Sequence, residues 1–190
     1  MARPRSFDRD EALLQAMKVF WAVGYERARL TDLQEAMGGI TAPSFYAAFG
    51  SKEKLFREAV ELYSKTLGAP MMKSLADAPT ARAAMEQLLH AAVEAFTKPD
   101  APHGCMLVQD AMNSAPVRSL RARRKKLIRQ RLARDLPSRP DVAALANFIV
   151  TVVDGLAIQA RDGASRQTLQ LAADCAMAAW DKVVSTTCRD

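Results

Sequence analysis

His103, Cys105 and Met106 crowd one short stretch of the sequence, with Met112 close behind. Thioether, thiol and imidazole are the ligand types that suit Cu(I). A cysteine near a histidine is also the pairing from which nucleophilic thiolates are made. The spacing weakens both readings, because no ligand interval repeats and no third group is placed to orient the histidine. A small cysteine on an apolar helix is ordinary packing, and a response to thiol oxidation or to a soft metal through Cys105 stays open beside it. Cys105, Cys175 and Cys188 stand at unrelated intervals, which gives neither a disulfide framework nor a zinc pattern and fits a reducing, cytoplasmic setting. The sequence therefore predicts no metal, no cofactor and no enzyme, with a cysteine-dependent enzyme as the remote alternative.

A second set of polar groups sits at the starts of short helices between Leu30 and Leu55, LTDLQEAMGGITAPSFYAAFGSKEKL. Thr31 followed by Gln34 reads as a capping box. Leu33, Ala36 and Met37 give that helix an apolar side, and Gly38-Gly39 ends it. Thr41 caps the next helix, Pro43 is tolerated in its first turn, and Ile40 and Phe45 form a hydrophobic staple across the cap. Gly50 closes this helix and Ser51 caps a third that begins at Lys52. Helix, glycine turn, short helix and longer helix together predict a helix-turn-helix.

The run T-x-L…G-I-T-x-x-S-F-Y-x-x-F-G-S-K-E-x-L resembles the DNA-binding signature of the TetR family of bacterial transcriptional repressors, over about Phe7 to Tyr63. The paired Gly38-Gly39 departs from it, making the turn about one residue longer than the usual single glycine. The resemblance implies a double-stranded operator as partner, with Ala42, Pro43 and Ser44, just after Thr41, set against base edges. None of the three makes a bidentate base contact. Thr31, Tyr46 and Lys52 would hold phosphates, Lys52 from a helix N-terminus. Arg3 and Arg5 belong to a basic arm that either lies in a minor groove or is a disordered tail. The resemblance further implies release of the operator on binding a small-molecule effector, or a factor without one.

The elements around this stretch all read as helical. The 190 residues are 49% hydrophobic and 25% charged, aromatics are sparse, and strand-type alternation is absent, so the fold class is all-α. No apolar run approaches membrane-spanning length. Helix 1 starts at Asp8, with Glu11 in the capping-box position, and carries Leu13, Ala16, Met17, Phe20 and Val23; Trp21 packs at the edge of its core. Two domains follow: residues 1–50 read DNA, and 51–190 bind ligand and dimerise. The fourth helix is interrupted at Gly68-Ala69-Pro70, a natural hinge, because proline lacks the amide and crowds the preceding turn.

The net charge is +6, yet residues 1–68 hold ten Lys/Arg against nine Asp/Glu, so charge does not locate the DNA site. Nine basic residues lie between Arg118 and Arg134 with no acid among them, a run that reads as a solvated helix face. Asp154 and Asn147 either face solvent or line a cavity. An effector pocket is expected from Tyr63, Met85, Leu88, Leu89, Ala92, Met106, Val108 and Leu127, with Gln109 and Asn147 as polar members, against a packed core as the competing reading. A homodimer is expected through the last two long helices, by Leu145, Ile149, Val153 and Leu156 and by Ala173, Met177 and Trp180. That bundle would set two reading heads about 34–36 Å apart.

Overall fold

The computed structural model describes residues 7–109 and 115–186. Arg3, Arg5, Met112, Cys188 and the Gln109 side chain lie outside them. The described residues form helices and no strand: α1 Arg9–Val23, α2 Leu30–Ala36, α3 Ala42–Phe49, α4 Lys52–Tyr63, α5 Ala69–Asp77, α6 Ala81–Phe96, α7 Met106–Gln109, α8 Ala115–Asp135, α9 Val142–Arg161 and α10 Arg166–Thr186. α1 to α3 and the start of α4 make a head; the remaining helices make a body.

Short polar side chains set half of the helix starts. Asp8 accepts the amides of Asp10 and Glu11, Thr41 that of Ser44, Ser51 that of Lys54, Thr80 that of Ala83 and Ser165 that of Thr168. Each satisfies an amide that the first helical turn leaves without a partner. α2 departs from expectation. Its cap is Arg29, whose backbone and guanidinium both donate to Asp32, so Thr31 lies within the first turn and forms no box with Gln34. Gln34 instead donates to the carbonyl of Ile40 and braces the turn to α3. Glu11 likewise does not reach back to the cap, and accepts from Gln15. Gly38 and Gly39 both hold positive φ, 85° and 75°, the conformation that closes the longer turn.

The fourth helix is not broken. Between α4 and α5 the chain widens into a π-helical turn, Ser64–Gly68, with the Ala69 amide bonded to the Ser64 carbonyl. Gly68 stays helical, and Pro70 follows the widened turn directly at the start of α5, where ordinary helical register is interrupted. The expected hinge is a change of helical register.

One apolar core runs from Ala12 through the body to Trp180. In the head Phe20 meets Phe56 edge-on at 5.1 Å and Phe45 meets Phe49 at 5.9 Å. In the body, α9 and α10 lie against α6, and α8 against α9. α9 is long and apolar enough to cross a membrane, but its Leu145, Ile149, Val153 and Leu156 are buried among the other helices.

That burial corrects the expected dimer face. Leu145, Ile149, Val153, Leu156, Ala173, Met177 and Trp180 are all inside the protomer's own core. Their stripes are used up within the protomer by α6, α8 and each other, and the large hydrophobic residues left exposed on these helices are Phe148, Ile158, Leu171 and Val183. The basic run is corrected too. Arg124 and Arg131 of α8 are buried at 6% and 5% exposure. Arg131 donates to the carbonyls of Leu75, Ala76 and Ala78 and to Asp135, closing the C-terminus of α5. A cation there meets the carbonyls that the helix leaves open and its negative dipole end.

Candidate nucleic-acid interface and effector cavity

α3 presents Ala42, Pro43 and Tyr46 to the outside, with Ser44 half-buried, while Phe45 and Phe49 anchor its other side in the head core. Thr41 is exposed as well, and its hydroxyl donates to the Ser44 hydroxyl at 3.0 Å, which leaves the Ser44 hydrogen available outward. Thr31 is exposed in the first turn of α2. Lys52 opens α4 with its ammonium 4.4 Å from the centre of the Tyr25 ring, an attraction that holds the charge beside the helix N-terminus. Thr31, Thr41, Ala42, Pro43 and Tyr46 are thus exposed, and Ser44 and Lys52 half-buried, on the three helices that follow α1. Arg9 of α1 is not a free cation: it pairs with Glu58 at 2.7 Å and lies over the Phe49 ring.

In the body a cavity of about 320 Å³ lies between the π-helical turn, α5, α6, α7 and α8. Its wall is mostly apolar, with Leu67, Met71, Met72, Phe96, Leu107, Leu120 and Leu127, and is edged by Tyr63, Ser64, Cys105, Lys73, Arg123 and Arg124. A void of this size with a few polar groups is the usual form of a small-molecule site. Of the residues expected here from sequence, Tyr63 and Leu127 line it. Met85, Leu88, Leu89, Ala92 and Met106 are fully buried in the packed core and are not in this wall, Val108 is half-buried and outside it, and Asn147 is exposed on the outside of α9. Asp154 does not line it either; it pairs with Arg121 at 2.8 Å and Arg124 at 2.5 Å.

The cavity wall continues into the joint between body and head. The Tyr63 hydroxyl donates to the Cys105 sulfur at 3.3 Å, and burial pushes its phenol well above the usual tyrosine range, keeping it a donor. Trp21 of α1 stands edge-on to the Tyr63 ring at 5.0 Å and donates its indole N–H to the Gly104 carbonyl at 3.1 Å. The Trp21 carbonyl accepts from Arg161 of α9. Gly104, at φ 81°, sits so near α9 that an added Cβ would lie 2.5 Å from the Ala157 carbonyl oxygen. Only glycine lets the loop before α7 press between α1 and α9. Trp21 is therefore a joint residue rather than an edge residue of the head core. Sequence reasoning also missed Arg124 and the π-helical turn, although Asp154 opposite a basic helix and Pro70 within a helical pattern were their traces.

His103 is exposed and Cys105 buried, so the two do not face a common ligand. Among the described residues no three His, Cys, Asp or Glu side chains converge as a metal site.

A family model described as bacterial regulatory proteins, tetR family, matches residues 12–59. The HTH-type transcriptional repressor ComR of Escherichia coli is 33% identical over 96% of this chain and 93% of its own. The HTH-type transcriptional repressor BdcR of the same species is 29% identical over 93% of this chain and 89% of its own. Among solved structures, a cysteine mutant of the TetR family transcriptional regulator CifR, complexed with 26bp double-strand operator DNA, superimposes with a TM-score of 0.87 and 42% identity, covering 94% of this chain and 100% of that one.

Proposed function

We propose that this chain, which belongs to the TetR family of bacterial DNA-binding transcriptional regulators, is a cytoplasmic repressor that holds a double-stranded operator as a homodimer and releases it when a small, mostly apolar effector fills the cavity. As such a regulator it is not an enzyme. The observation that carries the effector reading is the shared wall. Tyr63 and Cys105 border the void, and Tyr63 and Gly104 hold Trp21 of the head. A ligand displacing Tyr63 or the Gly104–Cys105 segment would move α1, and with it α3. The effector then favours a head spacing that no longer matches the operator, by as much as its affinity differs between the two arrangements.

On DNA, Ser44 supplies one polar contact and Ala42 and Pro43 apolar ones, while Thr31, Thr41, Tyr46 and Lys52 grip the backbone. With no bidentate reader on α3, specificity rests on DNA shape and on the distance between two heads. The boundary near Gly50 separates the reading surface from the effector and dimer parts, although α4 serves both. The dimer uses the outward sides of α9 and α10, where Phe148 and Leu171 stand 37% and 59% exposed. Phe148→Glu with Leu171→Glu gives a folded monomer by light scattering and loses specific operator binding; a variant that stays dimeric moves the interface elsewhere.

The test of coupling uses Trp21. In a Trp180→Phe background the Trp21 emission reports on the joint, and compounds that release operator shift it in step with release. Trp21→Phe keeps operator binding and blunts that release. Release with no change at Trp21, or a Trp21→Phe protein induced as well as its parent, would remove this path.

A second reading rests on Cys105, which lies in the cavity wall beside the Tyr63 hydroxyl. If its thiol is the sensor, peroxide releases the operator from the parent and not from Cys105→Ser, while apolar effectors act on neither.

A further inference from the structure

Arg124 is 94% buried, if its 6% exposure is taken from the whole, and it forms part of the cavity wall. Its Nη2 donates to Asp154, but its buried Nε–H meets no acceptor. Arginine does not shed its proton in a protein, so this donor and its charge persist. One carboxylate, Asp154, is shared between Arg121 and Arg124, which leaves that group of three with a positive excess. Lys73 and Arg123 add exposed positive charge at the mouth, and no acidic side chain is among the described residues of the lining. A cavity of this kind repels cations and leaves a neutral acceptor's share of the charge unanswered.

Resting on the reading of this void as the effector site, we infer that its ligand is an apolar molecule bearing a carboxylate, which pairs with the guanidinium of Arg124 in the wall. The carboxylate offsets the excess charge through a charge-assisted hydrogen bond. The hydrocarbon part lies against Leu67, Met72, Phe96, Leu107 and Leu120, where methionine adapts to its outline. Arg123 and Lys73 draw the anion to the mouth.

The test is calorimetric titration of the full chain with octanoate, decanoate and 1-naphthoate, each beside the alcohol of the same skeleton. At least one carboxylate binds about tenfold or more tightly than its alcohol, the range set by one buried charge-assisted hydrogen bond. Leu120→Trp, which fills the void, blocks both members of the pair. Arg124→Gln with Asp154→Asn removes both charges of that pair and leaves Arg121, which lies outside the cavity wall, as a part-exposed cation. The double change erases the preference to within about twofold, because a neutral donor does not distinguish the anion, and it keeps the alcohol's affinity. Should that pair of changes prevent folding, Arg123→Gln with Lys73→Gln alters exposed positions alone; it weakens the carboxylate several-fold and leaves the alcohol unchanged. A carboxylate no tighter than its alcohol, a preference that survives the double change at 124 and 154, or no effect of the mouth variant overturns the inference. Operator release separates it from the effector reading. An alcohol that is blocked by Leu120→Trp and releases operator keeps the effector site and removes the anion. An Arg124-dependent carboxylate that leaves the operator bound keeps the anion site and removes the effector role.

Discussion

In the head, the buried places are held by Phe20, Leu33, Phe45, Phe49 and Phe56, and the guanidiniums of Arg9 and Arg29 stay at the rim on Glu58 and Asp32. In the body, α8 carries two guanidiniums inward, Arg124 and Arg131, and a cavity lies beside the first. Among the described residues no buried side-chain polar atom of the head lacks a partner, which suits the proposed role of a surface set before DNA arrives. The body keeps an unpaired donor and an unfilled volume, so it has something to gain from a second molecule. A regulator needs both: a fixed surface to recognise one partner and an incomplete region to respond to another.

The largest effect that would break this contrast is in the head. Phe45→Ala opens a cavity where the ring is fully buried and should cost about 3–5 kcal/mol. Denaturant unfolding should show the loss, and operator affinity should fall with it. If the variant kept its stability, the head core would be looser than its packing implies. In the body, Arg131→Met should cost about 1–3 kcal/mol, because the carbonyls of Leu75, Ala76 and Ala78 lose their donors while the stem volume is retained. Arg131 has no part in the cavity wall, so ligand affinity corrected for stability should be unchanged; a large change would link the two buried arginines. The smallest effect is on the reading surface. Lys52→Ala should leave the melting temperature within a few degrees and flatten the dependence of log affinity on log salt by roughly one unit. An unchanged slope would mean that the ammonium serves the Tyr25 ring alone.

The head was the more legible half in the sequence, and for a physical reason. Its turns are made by residues with narrow conformational tolerance: Gly38-Gly39, Pro43, Gly50, and the hydroxyls of Thr41 and Ser51. α2 differs from the sequence pattern only at its cap, where Arg29, outside the helix, reaches Asp32 and leaves Thr31 inside the first turn. In the body, apolar spacing groups Met85, Leu88, Leu89, Ala92, Ile149, Val153 and Met177 on helix stripes, expected to line a pocket or a dimer face, and all seven are buried in the protomer. It did not say against what. A stripe facing α6 and a stripe facing a second protomer have the same period, and so do a filled core and the wall of a void. Arg124 and Arg131 were invisible for the complementary reason: periodicity treats a charge as surface, whereas their partners, Asp154 and the end of α5, are distant in sequence.

The π-helical turn at Ser64–Gly68 has one more consequence, a mechanical one. A turn with an extra residue can in general be paid out along a helix, travelling like a wrinkle and rotating everything beyond it by about 100° per residue. Here Pro70 stands at its exit, and a return to ordinary register would drive the ring against the carbonyl four residues back. The wrinkle is pinned. Met71 and Met72 therefore keep a fixed bearing towards the cavity, and the proposed ligand, seated against them, would push on a stiff lever rather than a slack one, passing its displacement along α4 to Tyr63 and the head.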